Sequence, residues 1–526
     1  MAGLEQNPYD EVLYPGCPFS QTHPDRLATL ATLFGMKPAA VENCRVLELG
    51  CGDGGNLIPM AFGLPGSEFV GIDLAARPIR SGQALVEALG LKNITLRPLD
   101  IMQISSDLGR FDYIIAHGLY SWVPPAVQDK ILAICKANLA PQGVAYVSYN
   151  TYPGGHLRNL VREMMLFHVR DLTEPEQRIQ QARALIKFLA ESQAEPDPYR
   201  AFLKKELERI TQYREAALYH DDLAEINSPV YFYRFIEQAT RHQLQYLAEA
   251  HLFEIQMGIF PPHVAEELNQ LTDNMVVKEQ YLDFLKCRRF RQTLLCHQDI
   301  ALDRTPKPER IVDFYVASPA RSTSAQPDID SRSVEEFGGP KGSALKTDNP
   351  LIKAAMAHLG ETWPQSCHFS ELLATARSRS GRYSACDDFG FDEDARELGG
   401  ILLRTHAAGL TELHVHSPQF VLTVSERPVA SALARLQIQN GSLVTNLCHA
   451  SVQVTDKMAR RLLQLLDGTR DRTALLTELT AFLESDIKKR REEGEPVSQV
   501  REALSSLAED LEPNLAKLAR LALLIG

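Results

Sequence analysis

The chain has 526 residues, 44% apolar and 23% charged, a composition that excludes a disordered chain and suits about three globular domains. Its 55 basic and 67 acidic residues leave a net charge of −12, which argues against broad nonspecific nucleic-acid binding, because that needs a cationic face to displace counterions. The first 170 residues hold 13 basic and 15 acidic side chains, so no strongly basic region hides there, although a local basic patch stays open.

Nine cysteines form no C-x-x-C pair, which disfavours a disulfide framework or a zinc ribbon and fits a reducing compartment. The opening MAGLEQNPYDEV has no apolar core of a signal peptide, and no apolar run reaches membrane-spanning length. These features lead us to expect a soluble, cytoplasmic, multidomain protein without membrane insertion and without a bound metal.

Strand and helix signals alternate over 44–150. Short apolar runs at Cys44–Leu49, Glu68–Ile72, Ile94–Pro98, Phe111–Ala116 and Val144–Tyr149 are separated by helical spacing, clearest at 75–89 and 124–139. Such alternation predicts an α/β, Rossmann-like parallel sheet with helices on both faces, and ligands of such sheets sit at the carboxyl ends of the strands. Residues 156–220 read as polar helices. Leu244–His251 and Phe290–His297 read as two late strands of the same sheet, although buried helix segments would give the same short apolar runs. Residues 301–348, rich in Pro, Ser, Gly and Asp, read as a linker. Helices near 350–359, 368–379 and 392–408, then two strands around Ser417-Pro418, suggest a winged-helix-like module. Three further helical segments lie near 455–467, 470–484 and 497–524. The expected division is a core at 1–157, a helical insertion at 158–228 serving as dimer contact or lid, a segment completing the sheet at 229–300, the linker at 301–348, the winged-helix-like module at 349–428 and a helical module at 429–526.

Glu48-Leu49-Gly50-Cys51-Gly52-Asp53-Gly54-Gly55 follows a strand and opens a helix. Gly50, Gly52 and Gly55 also satisfy G-x-G-x-x-G, the dinucleotide fingerprint. Three features favour S-adenosylmethionine (SAM) instead. Glu48, two residues before the first glycine, can hold the cationic amino group of SAM and would repel a pyrophosphate. Asp100 after the third strand can accept from the adenine amine. Leu139-Ala140-Pro141-Gln142-Gly143 precedes the fifth strand and resembles the Leu-x-Pro-Gly-Gly turn of SAM methyltransferases. Asp73, at the end of the second strand, would accept from ribose hydroxyls in either class. The expected cofactor set is Glu48, Gly50, Gly52, Asp53, Asn56, Asp73, Leu74, Asp100, Ile101 and His117.

The chain resembles bacterial class I SAM-dependent methyltransferases that carry a methyltransferase regulatory domain, among them the rickettsial outer-membrane-protein lysine methyltransferases. The resemblance is carried by NPYDEVLYPGCPFSQTHPDRLATLATLFG (7–35), VLELGCGDGGNLIPMA (46–61), FVGIDL (69–74), AHGLYSWVP (116–124), SYNTYPGGHLRNLVREMM (148–165), NSPVYFYRFIEQATRHQLQYLAEA (227–250) and RRFRQTLLCH (288–297), and more loosely by LLQLLDGTRDRTALL (462–476) in the winged-helix ending. It implies a seven-stranded sheet, SAM as donor, protein lysine as acceptor, and homodimers.

Acceptor chemistry is expected at the strand ends. His117 and Tyr120 after the fourth strand, and Tyr149 and Asn150 after the fifth, are the catalytic candidates. The Asn/Asp-Pro-Pro-Tyr motif of amide and adenine methyltransferases is absent there. Tyr9, Tyr14, Trp122, Tyr152, Tyr219 and Asp221 are candidate substrate contacts; the plain alternatives are a capping histidine, a tight turn at 150–155, surface packing and a solvated helix end. Thr22 reads as a helix cap, Arg288-Arg289 as a solvated face, and His414-x-His416 as weak evidence for zinc. A small-molecule acceptor and a non-catalytic SAM-binding scaffold remain the alternatives to a protein-lysine methyltransferase.

Overall fold

The computed structural model describes Val12, Tyr14 and residues 16–192, 197–255, 260–381, 392–493 and 498–526. Its centre is a seven-stranded sheet in the order β3-β2-β1-β4-β5-β7-β6, with β1 Arg45–Leu49, β2 Glu68–Asp73, β3 Ile94–Pro98, β4 Phe111–Ala116, β5 Leu139–Asn150, β6 Leu244–Glu249 and β7 Phe290–His297. β1 to β5 run parallel, and β7 runs antiparallel between β5 and β6. The two late apolar runs are therefore strands. Side chains alternate between two apolar layers: Val46, Tyr113, Ile115 and Tyr146 join one core, and Leu47, Leu49, Ile114 and Tyr149 the other. Burial on both faces is why these strands read as nearly continuous apolar runs.

The insertion contributes α-helices at Gly154–His168, Pro175–Ser192 and Pro198–Gln212, which close on their own core of Val161, Met165, Ile179, Ile186, Leu203 and Ile210. Helices Phe232–Arg241 and Met275–Lys286 flank the late strands. Arg291 of β7 is fully enclosed and anchors this region through Glu249 (2.6 Å), Asp283 (2.9 Å) and Glu279 (3.1 Å). Arg288, expected on a solvated face, is also buried, with Nε 3.2 Å from Asp283. Arginine identity alone does not show that three carboxylates converge from distant elements.

The stretch 301–348 departs from its reading as a linker. It forms β8 Tyr315–Ala317, β9 Arg321–Ser322, β10 Glu335–Gly338 and β11 Ala344–Thr347, and buries Ile311, Phe314, Val316, Ala320 and Phe337 in the core that also holds Leu27, Leu30 and Leu33. Its Ser, Pro and Asp occupy turns; for example, Asp328 accepts from the Ser331 and Ser333 hydroxyls. The hairpin expected around Ser417-Pro418 also differs. β12 Cys367–His368 pairs antiparallel with one edge of β8, but of the expected hairpin only β13 Glu412–His414 forms, and it pairs antiparallel with the other edge of β8. The next residues are diverted because the N–H groups of Val415 and His416 both donate to Asp25 Oδ1 at 2.9 Å. A two-stranded hairpin appears later, at β14 Leu443–Thr445 and β15 Ser451–Gln453, followed by long helices at Arg472–Glu492 and Ser498–Arg520. No helix among the described residues is long and apolar enough to cross a membrane.

Candidate active site

The glycine loop is tied to the end of β2: the N–H groups of Gly50 and Cys51 donate to Ile72 O at 2.8 and 3.1 Å. Gly50 and Gly52 have φ of +74° and +56°, a left-handed backbone that favours glycine. A Cβ on Gly52 would meet nothing within 4 Å, so its open side can accept a ligand without rearrangement.

Glu48 closes β1 beneath the loop. Its carboxylate is buried; Oε1 accepts from Asn56 Nδ2 at 2.8 Å, and Oε2 has no partner among the described residues. Burial, reinforced by Asp73 and Asp53, raises its pKa to about 8 against the opposing hydrogen bond from Asn56. A buried carboxylate oxygen without a donor is a fitting socket for a cationic amine.

Asp73 receives the Gly52 N–H on Oδ2 and the Ala75 N–H on Oδ1, both at 2.8 Å, which fixes the carboxylate at the mouth of the loop. Leu74 beside it is 67% exposed, an apolar surface at the strand end. Asp100 accepts from Met102 N at 2.8 Å and caps the short turn Ile101–Gln103, with Ile101 buried. Asp53 accepts from Gly55 N at 2.9 Å and from Gly16 N at 3.4 Å. The latter bond ties the segment 16–19 over the loop. Its backbone comes so close that a Cβ on Gly55 would lie 2.5 Å from the Gly16 carbonyl carbon.

Asn56 is a hub. Its Oδ1 accepts from Phe19 N (2.9 Å) and from His449 Nε2 (3.0 Å), while Nδ2 donates to Thr22 Oγ1 (3.0 Å) and Glu48. Thr22 is therefore engaged behind the loop; the cap of helix Pro24–Leu33 is His23, whose Nδ1 accepts from Asp25 N.

His117 after β4 packs 3.9 Å from the Phe19 ring and bonds Tyr146 OH through Nδ1 at 2.9 Å. Tyr146 OH donates to Gln292 Oε1 at 2.8 Å, so His117 Nδ1 carries the proton and Nε2 keeps its lone pair. Burial lowers the His117 pKa to about 4, which keeps the ring neutral. Gly118 N is held by Ser148 Oγ at 2.8 Å.

Three catalytic candidates belong to the core instead. Tyr120 is fully buried and donates to Gln238 Oε1 at 2.6 Å. Tyr149 stacks on Phe235 at 4.2 Å, and its hydroxyl is engaged with Thr293 Oγ1 at 3.0 Å. Asn150 is buried, with Nδ2 on Asn227 Oδ1 at 2.9 Å. Strand alternation explains the place of Tyr149: Tyr146 and Ser148 share the face of His117, whereas Tyr149 turns to the opposite layer; Asn150 is instead withdrawn by its bond to Asn227, and Tyr120 by the turn Tyr120–Trp122.

The substrate candidates divide between two clusters. Tyr152 stacks on His156 at 4.0 Å beside Tyr231, and Arg158 lies over Trp122 at 5.8 Å. Tyr219 and Asp221 sit in a π-helical turn, Leu218–Asp222, where Tyr14 packs edge-on against His220 at 5.8 Å. Burial raises the Asp221 pKa to about 6. Tyr9 lies outside the described residues. Phe19, Tyr146, Ser148, Gln292 and His449 join these candidates; Phe19, Ser148 and Gln292 lie in the runs PFSQTHP, SYNTYPGG and RRFRQTLLCH, whereas no motif in the sequence marks Tyr146 or His449.

Models of known families match along the chain: a methyltransferase domain at 46–143, a predicted methyltransferase regulatory domain at 214–297, and the PKMT C-terminal winged helix domain at 426–523. An uncharacterized protein of Rickettsia prowazekii is 34% identical over 535 residues, spanning 99% of this chain and 94% of its own. PKMT2 from Rickettsia typhi superposes with a TM-score of 0.84 at 30% identity, covering 98% of this chain and all of that one. The chain belongs to this methyltransferase family. It is a SAM-dependent methyltransferase. PKMT2 has also been solved in complex with AdoHcy, with a TM-score of 0.83 at 30% identity and the same coverage. The winged-helix match covers 426–523, around the β14–β15 hairpin and the run 462–476 that carried the looser resemblance.

Proposed function

We propose that this methyltransferase transfers the methyl group of SAM to lysine side chains of a protein substrate. The full-length likeness to PKMT2, together with the PKMT winged-helix match, carries the choice of acceptor. The residues of the glycine loop fit the donor. In this reading Glu48 Oε2 receives the methionine ammonium, Asp73 the ribose hydroxyls and Asp100 the adenine amine, while Leu74 and Ile101 flank the adenine.

Bound SAM supplies a methyl group activated on sulfur. The protein must present a neutral amine to it, because an ammonium has no lone pair. His117 is held neutral with Nε2 available to accept the acceptor's proton by hydrogen bond, and the Phe19 strap restricts water around it. The aromatic group Tyr152, His156 and Tyr231 supplies apolar faces along which a lysine stem can lie. The eight free cysteines described fit work in the cytoplasm.

The test is incubation of the full chain with methyl-labelled SAM and bacterial lysate, followed by peptide mass spectrometry. Methyl-lysine on protein is the expected product. Label recovered only in small molecules would refute the acceptor assignment. Light scattering would check the homodimer that the resemblance implies.

A further inference from the structure

The glycine loop is braced by a residue almost four hundred positions away. His449 lies in the turn between β14 and β15 of the winged-helix unit, is buried, and reaches Asn56 Oδ1 with Nε2 at 3.0 Å. The direction of this bond is fixed. Phe19 N is a backbone donor and points at Asn56 Oδ1, so that atom is the carbonyl oxygen and His449 must donate from Nε2–H. Asn56 Nδ2 is thereby turned to Glu48 Oε1 at 2.8 Å, which leaves Oε2 as the unpartnered oxygen.

The turn is built to hold the ring there. His449 has φ of +54°, a left-handed backbone that non-glycine residues seldom adopt. Asn446 Oδ1 accepts from the Cys448 and Ala450 N–H groups at 3.1 and 2.9 Å, and Asn446 Nδ2 donates to Leu521 O at 3.0 Å. Leu447 N donates to Ala522 O at 2.9 Å, so the residues just past the last helix also hold the turn. The other ring nitrogen, Nδ1, is buried without a partner, and the His23 ring lies 5.1 Å away. A ring whose one bonded nitrogen serves Asn56 has no other polar task among the described residues.

We infer that His449 is a positioning residue of the cofactor site, through which the C-terminal winged-helix unit orients Asn56 and hence the Glu48 carboxylate toward the SAM ammonium. The inference rests on the assignment of Glu48 to that ammonium. It makes the catalytic domain dependent on the far end of the chain for donor binding.

The test is SAM calorimetry on full-length protein with thermal unfolding recorded for every variant. His449→Ala should weaken SAM binding about tenfold, the order expected for losing one buried hydrogen bond and its orientation. His449→Gln can place an amide N–H near the same point and should restore affinity to within about threefold; His449→Asn is too short and should not. In a Glu48→Gln background His449→Ala should cost nearly nothing, because the group it orients no longer carries charge. A purely structural role would lower affinity equally in both backgrounds, and that result would overturn the inference, as would unchanged affinity in folded His449→Ala. If His449→Ala does not fold, the Gln and Asn variants decide: equal affinities refute the proposal. Wild-type protein that binds no SAM, or Glu48→Gln with undiminished affinity, would instead overturn the Glu48 assignment itself.

Discussion

SAM binding should be coupled to proton release from Glu48. In the absence of cofactor, burial and the nearby Asp73 and Asp53 hold its pKa at about 8. At pH 7 the carboxyl is then protonated in about ten molecules of eleven, and ionising it to meet an ammonium costs about 1.4 kcal/mol, close to tenfold in affinity. Affinity should therefore rise about tenfold from pH 6 to 7 and about two- to threefold more to pH 8, where the amine has begun to lose its charge. Above that it should fall, because an α-amino group with pKa of about 7.7–8.0 loses its own charge. Calorimetry at pH 7 in two buffers of different ionisation enthalpy should show release of somewhat less than one proton per SAM. Glu48→Gln should bind more weakly and release none. Equal wild-type affinity at pH 6 and 8 without proton release would refute the reasoning, as would an unaltered pH slope in Glu48→Gln.

Asp73→Ala should lower SAM affinity by about 100-fold or more, since it removes the proposed ribose acceptor and frees the N–H of Gly52 and Ala75, as equilibrium binding would show. Gly55→Ala should displace the 16–19 strap, because its Cβ would lie 2.5 Å from Gly16 backbone; calorimetry should find weaker SAM binding and denaturation a loss of about 1–3 kcal/mol. Phe337→Ala should destabilise the protein by about 3–5 kcal/mol in chemical denaturation, whereas a loss under about 0.5 kcal/mol would mean that 301–348 is a linker after all. Thermal stability should be greatest near neutrality. His414 on Asp25 has its pKa raised to about 9, so its contribution of at most about 3 kcal/mol is complete below about pH 6.5 and lost as pH rises through 9. His23 and His117 are lowered to about 4, so their contribution is lost as pH falls from about 6.5 toward 4. His414→Gln should flatten only the alkaline limb of the melting profile.

The strand–glycine–helix order of 44–150 was legible because a parallel strand buried on both faces must be written as an apolar run, and because the left-handed positions at 50 and 52 favour glycine. The late strands of the sheet were legible for the same reason. Composition misled at 301–348: Ser, Pro and Asp marked real turns, but the few residues that bury a short strand, Phe314, Val316 and Phe337, are too sparse to show a period. Tyr120 and Tyr149 were plausible at strand ends, yet the layer a side chain enters is set by register, and there one residue exchanges solvent or site for core. Tyr146 and Ser148, three and one positions before Tyr149, took the places that bond His117 and Gly118.

The least legible part of the site is the part supplied by distant chain. His414 and His416, weak as a metal pair, instead meet Asp25 and Glu42, binding β13 to the helix that follows the strap and the next residues to the turn Val41–Asn43. His449 meets Asn56 behind the glycine loop. Each contact joins residues nearly four hundred positions apart, and no local period can encode such a pairing, because the entropy of closing so long a loop is met only by the whole intervening fold. Both contacts reach the same small region, from helix Pro24–Leu33 through Asn56 to Glu48. That convergence gives the C-terminal half a physical role in donor binding, independent of any substrate it recognises: removing it would leave Asn56 Oδ1 short of a donor and Asp25 without its histidine. A catalytic half cut at 300 should therefore bind SAM less well than the full chain even where its sheet is intact.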